Sequence, residues 1–133
     1  MIVVHATFPL DSAKREEALE LIKDLVEQSQ AEAGTIDYRA VTDVSEPNVL
    51  RFVERCEDTD AFETHIETEH FQAFEAALPE LLAEDPETLR FEVESATELE
   101  LRQEASYGVP ASVRPTGRYK KRSLTMVRTK AHV

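Results

Sequence analysis

Arg51-Phe-Val-Glu-Arg-Cys-Glu-Asp-Thr-Asp-Ala-Phe-Glu-Thr-His-Ile-Glu-Thr-Glu-His-Phe-Gln-Ala-Phe74 decides the reading of this chain. Its first residues are β-rich and pass into an acidic helix start, where Asp58 or Thr59 can cap a short helix carrying Ala61, Phe62, His65 and Ile66. Thr68 restarts the turn. His70, Phe71, Phe74, Ala77, Leu78, Leu81 and Leu82 then continue an amphipathic helix that Pro79 is expected to kink or end early. Two histidines, on and just after a short helix and each beside apolar residues, mark the place where a pocket is expected.

Upstream, Ser45-Glu-Pro-Asn48 separates a strand over Thr35–Val44 from one over Val49–Glu57, which predicts an antiparallel hairpin. At the start of the chain Ile2, Val4, Ala6 and Phe8 alternate with Val3, His5 and Thr7. Apolar residues on both faces predict an inner strand. Between these, Asp11 or Ser12 offers an N-cap, Glu16 and Glu17 lie near the positive end, and Leu19, Ile22, Leu25, Val26 and Ser29 form one stripe. That helix is expected to run to about Ala33, with Gly34 as a left-handed stop. Downstream, Leu89, Phe91, Val93, Ser95, Thr97, Leu99 and Leu101 alternate with mostly charged residues, predicting one long strand from Leu89 to Leu101. The order β-α-β-β-α-β is the ferredoxin-like split unit, an α+β fold with an antiparallel sheet and helices on one face. A sheet with a partly apolar second face is expected to pair with another copy as a homodimer.

The chain has 133 residues, enough for one domain with one core. Its net charge of −12 is uneven: residues 1–102 hold 26 acidic and 8 basic side chains, residues 103–133 hold 1 and 7. So acidic a body disfavours nucleic acid and anionic membranes as partners, and such composition is common in proteins of a high-salt cytoplasm. Residues 1–102 are expected to form the domain. Residues 103–133, with the basic cluster Arg118-Tyr-Lys-Lys-Arg122, are expected to be a flexible basic C-terminal extension. No stretch approaches the roughly 18 apolar residues of a membrane helix, and a cytoplasmic protein is expected. Cys56, in a strand and without a second cysteine, is expected to be a small buried hydrophobe.

Five residues apart on a continuous helix, His65 and His70 would stand about 140° from each other, which argues against a shared metal face. His5, Glu67 or Glu69 would be the candidate third ligands, and no metal is expected. A glycine-rich phosphate loop, a Gly-x-Ser-x-Gly elbow and a supported Cys-His pair are all missing. The constellation that remains is His65 and His70 near Tyr38, Phe62, Phe71 and Phe74, a mostly apolar lining with a few polar groups that suits a small aromatic substrate. A neutral imidazole there can accept a proton, and Tyr38 can donate to a carbonyl or phenolate oxygen.

Glu32-Ala-Gly-Thr-Ile-Asp-Tyr38, Phe52-Val-Glu-Arg-Cys-Glu-Asp58, Ala61-Phe-Glu-Thr-His65 and Thr68-Glu-His-Phe-Gln-Ala-Phe74 together resemble the antibiotic biosynthesis monooxygenase family, over about residues 1–101. The resemblance implies a dimeric α/β barrel with a pocket between sheet and helices. It also implies an enzyme of the quinol-monooxygenase-like branch, oxidising a quinol or phenol with O2 and no cofactor. Under it, His65, His70 and Tyr38 are the expected catalytic residues, and Phe62, Phe71, Phe74 and His5 the substrate-binding ones. The places where the haem-degrading branch has asparagine, tryptophan and an iron-binding histidine align with Ala6, His65 and Glu75, which disfavours haem degradation. Cys56 stands where the quinol branch often has an aromatic residue. A non-catalytic dimeric ligand-binding or stress-related module, and a proton-transfer isomerase using the same pocket, are the alternative readings.

Overall fold

β1 (Ile2–Pro9) takes the inner place that its two apolar faces predict, paired antiparallel with β3 (Val49–Cys56) on one side and β4 (Glu87–Glu92) on the other. β2 (Thr35–Thr42) adds to the far side of β3, giving the order β2-β3-β1-β4. With α1 (Arg15–Gln30), α2 (Thr59–Ile66) and α3 (Glu69–Leu81) the order is that of the ferredoxin-like α+β fold. The computed structural model describes residues 1–103 and 124–132, in two compact units, residues 1–94 and 95–133.

Register explains the core. Ala6 stands opposite Phe52, and Phe52 opposite Ala40, so one parity of all three strands faces the helices. Phe8, Leu50 and Phe52 meet Ala18, Ile22 and Leu25 of α1 and Phe74 and Leu81 of α3. Each such leucine, isoleucine or phenylalanine side chain contributes about 1.5–3 kcal/mol when fully buried. Phe8 packs edge-on to both Phe52 and Phe74, 5.0 and 5.5 Å away. Ile2, Val4 and Cys56 form a second cluster under Ala61 and Phe62 of α2. The other parity leaves Val41, Val53, Leu89 and Phe91 between 39 and 50% exposed on the opposite sheet face.

Several local expectations change. A 3₁₀ turn over Ser12–Lys14 precedes α1, with Asp11 accepting from the amide of Ala13. α1 ends at Gln30, not near Ala33, and Gly34 is not left-handed. Its missing side chain matters for another reason: Ala61 Cβ fills the space a Cβ at Gly34 would need. α3 continues through Pro79 to Leu81, so the lost N–H falls in the last turns, where few later hydrogen bonds depend on it. The long strand is interrupted at residues 93–95, just where a reciprocal pair of hydrogen bonds between Met1 and Val93 carries the β1–β4 pairing one residue beyond Ile2 and Glu92.

The second unit contains β5 (Ala96–Gln103) paired antiparallel with β6 (Leu124–His132). The segment read as a flexible extension therefore includes a strand, rich in the β-branched Thr125, Val127 and Thr129. The cluster Arg118–Arg122 lies outside the described residues. Among the described residues, no helix is long and apolar enough to cross a membrane.

Candidate active site

Local capping builds the site. Asp58 caps α2 by accepting from the Ala61 amide at 2.8 Å, and Thr68 caps α3 by accepting from the Phe71 amide at 3.3 Å. Thr68 Oγ1 also donates to the carbonyl of His65 at 2.6 Å, which ties the end of α2 to the start of α3. His65 thus lies in the last turn of one helix and His70 in the first turn of another. The 140° separation of a continuous helix does not apply, and the two rings lie 6.2 Å apart.

Both rings converge on Glu32, in the turn between α1 and β2. His65 Nδ1 lies 2.8 Å and His70 Nε2 2.7 Å from the same oxygen, Glu32 Oε2. The close approach of Gly34 to Ala61 brings that turn and α2 together. A carboxylate accepts from both rings when His65 carries its proton on Nδ1 and His70 on Nε2, an assignment that follows from the network. The ring nitrogen of His70 that Glu32 does not hold is then a free base. The second nitrogen of His65, Nε2, is buried without a hydrogen-bond partner, 3.8 Å from Glu54 Oε1.

Tyr38 and Phe71 pack on His65, with ring centroids 5.2 and 5.1 Å away. His65 and Tyr38 are 1 and 2% exposed. The side chains of Glu32 and His70 keep 15 and 14%, so the site meets solvent at these two residues. Burial, and then the charge of Glu54, push the Tyr38 phenol well above its ordinary range, so it remains a neutral donor. Burial and the nearby Glu32 push Glu54 up to about 7. Cys56 is pushed up to about 11, mainly by burial, and stays a thiol, as its reading as a buried hydrophobe requires.

Glu32, His65 and His70 offer three ligand atoms within 4.8 Å of one another, so Glu32 takes the place proposed for His5, Glu67 or Glu69. Ligands held about 2.0–2.1 Å from a tetrahedral ion stand roughly 3.3 Å apart. The contacts of 2.7 and 2.8 Å are instead hydrogen-bond lengths. As spaced, the cluster is suited to holding protons.

Of the residues singled out in the sequence, the fold gathers Tyr38, His65, His70 and Phe71. Phe74 lies in the core, stacked on Phe52 at 5.7 Å. Phe62 packs with Ile2, Val4 and Cys56, with the Arg90 guanidinium 4.9 Å from its ring. His5 belongs to the opposite sheet face, its ring 5.3 Å from Phe91. Glu32 and Glu54 were not singled out. Glu54 had a usable signal, because it falls in phase with the core residues Leu50, Phe52 and Cys56.

Residues 1–77 match the antibiotic biosynthesis monooxygenase family. The chain belongs to that family. The matched stretch contains the whole cluster from Glu32 to Phe71. Among curated relatives of this family member, "Putative monooxygenase YcnE" of Bacillus subtilis is 38% identical over 93 residues, 70% of this chain and 98% of the relative. A conserved protein from Methanosarcina mazei has a solved structure with TM-score 0.65 at 29% identity, covering 68% of this chain and 89% of that one. A structure titled antibiotic biosynthesis monooxygenase superposes with TM-score 0.66 over 70% of this chain and 98% of that one, at 24% identity, and supports the fold.

Proposed function

We propose that this antibiotic biosynthesis monooxygenase family member oxidises a small quinol or related phenol with O2, without a bound cofactor. The observation that carries the reading is the pair of histidines on one oxygen of Glu32, with only the outer one near solvent. Glu32 holds His70 by Nε2–H and leaves Nδ1 to take the phenolic proton, the division of labour of a general base and its orienting carboxylate. Phe71 supplies an apolar wall, and Tyr38 and His65 back the site from inside. The deprotonated substrate gives its electrons to O2. For a quinol the balance is one ring C–H converted to C–OH, with oxidation to the quinone level and release of one water.

The reading includes a homodimer joined through the sheet face that exposes Val41, Val53, Leu89 and Phe91. Burying such a face against a second copy is favoured by the hydrophobic effect.

A second reading, a dimeric module that binds a small ligand without chemistry, is favoured by one observation: Tyr38 and His65 are enclosed by side chains. Oxygen uptake with quinols and anthrone-like phenols, without added metal or flavin, separates the two. Uptake above autoxidation supports the enzyme, and ligand-induced stabilisation without uptake supports the module.

A further inference from the structure

Glu54 is 6% exposed on the helix-facing side of β3, between Tyr38 of β2 and Val4 of β1. The titratable groups acting at this place are Tyr38, Cys56, Glu32 and His65. Among the described residues the ring of His65 faces it, 3.8 Å away, and it has no salt bridge to a Lys or Arg. Glu32 takes an N–H from each imidazole, so His65 turns a bare lone pair at Nε2 towards Glu54. A lone pair facing an ionised carboxylate is repulsive, and a buried polar atom without a partner forfeits the hydrogen bond it would have made in water. One proton in the 3.8 Å gap removes both penalties once a small side-chain movement brings the two atoms to hydrogen-bond length.

We propose that Glu54 is a positioning residue whose carboxyl holds that proton for His65, fixing the tautomer of His65 and, through the shared Glu32 oxygen, the orientation of His70. The proton has two homes. When the O–H of Glu54 breaks and an Nε2–H forms, the product is an imidazolium between two carboxylates, with no net change in charge. Burial and the charge of Glu32 keep the Glu54 carboxyl protonated up to about pH 7. The role of Glu54 in turnover rests on the monooxygenase reading; its role as proton holder does not.

The test is a pH series from 5.5 to 9 on the full chain, following the histidine ring nitrogens and the Glu54 carboxyl carbon by NMR in wild type and Glu54→Gln. In wild type the Glu54 carbon is expected to shift with a midpoint near 7, and the His65 Nε2 signal to show a step as the Glu54 proton facing it is lost. In Glu54→Gln, where an amide N–H can still donate to Nε2, the His65 step is expected to vanish while His70 keeps its proton on Nε2. A Glu54 carboxyl that is ionised throughout the series, or a His65 step that survives in Glu54→Gln, would overturn the proposal. If that variant does not fold, the wild-type carboxyl titration alone decides. An inactive protein with the coupled step would count against the function and not against the proton holder.

Discussion

Ala61 stands where a side chain at Gly34 would be, and this contact joins the turn carrying Glu32 to the helix carrying His65. Gly34→Ala forces the backbone of one or the other to move. The expected cost is about 1–3 kcal/mol, the usual range for overpacking. Ala61→Gly opens the space at about 0.5–1 kcal/mol of helix propensity, and the double variant is expected to be more stable than Gly34→Ala alone. Urea unfolding of the three variants checks this, and strict additivity would count against the contact.

Glu54 makes stability depend on pH in a definite direction. Its folded pKa is raised from 4.5 to about 7, so the folded state binds the proton more tightly. The stabilisation is full below about pH 4.5 and is lost as pH rises through 7. Glu54→Gln does not titrate. Its stability relative to wild type should therefore climb between about pH 4.5 and 7 and level off above, by at most about 3 kcal/mol. Urea midpoints at pH 5, 6, 7 and 8 measure the difference, and a flat difference would contradict the assignment.

Two phenylalanines three residues apart should separate stability from activity. Phe74 is buried between Phe8 and Phe52, so Phe74→Ala is expected to lose about 3–5 kcal/mol. Phe71 is only partly buried and faces the His65 ring. Phe71→Leu is expected to change KM for an aromatic substrate more than it changes the melting temperature.

The exposed sheet face predicts a charge-sensitive dimer. Phe91 and Leu89 on β4 and Val53 on β3 point away from the helices. Leu89→Lys with Val53→Lys is expected to give a folded monomer, read by light scattering and circular dichroism. A dimer unaffected by both charges would place the interface elsewhere.

The fold was legible because the two periodicities of the chain agree with the packing: Ile2, Val4, Ala6 and Phe8 alternate, and Ile22, Leu25 and Ser29 fall on one stripe. The break at residues 93–95 was not, since no proline or glycine marks it. The histidines could be found from their setting, but not their relation. Their angle depends on the Thr68 cap, and their common partner Glu32 lies 33 and 38 residues away. His5 was drawn in by residue type, although the parity of its own strand puts it on the other face. Glu54 was readable from that same parity, as an acid among core positions.

Oxygen uptake with a quinol panel, measured without added metal or flavin on wild type, His70→Ala, His65→Ala and Glu32→Gln, tests the central claim most directly. The account predicts uptake above autoxidation in wild type, a fall of about 10²- to 10⁴-fold in His70→Ala, lower turnover in His65→Ala and Glu32→Gln, and an intact fold in all of them. A folded wild type that consumes no oxygen across the panel, or a His70→Ala variant as fast as wild type, would contradict it.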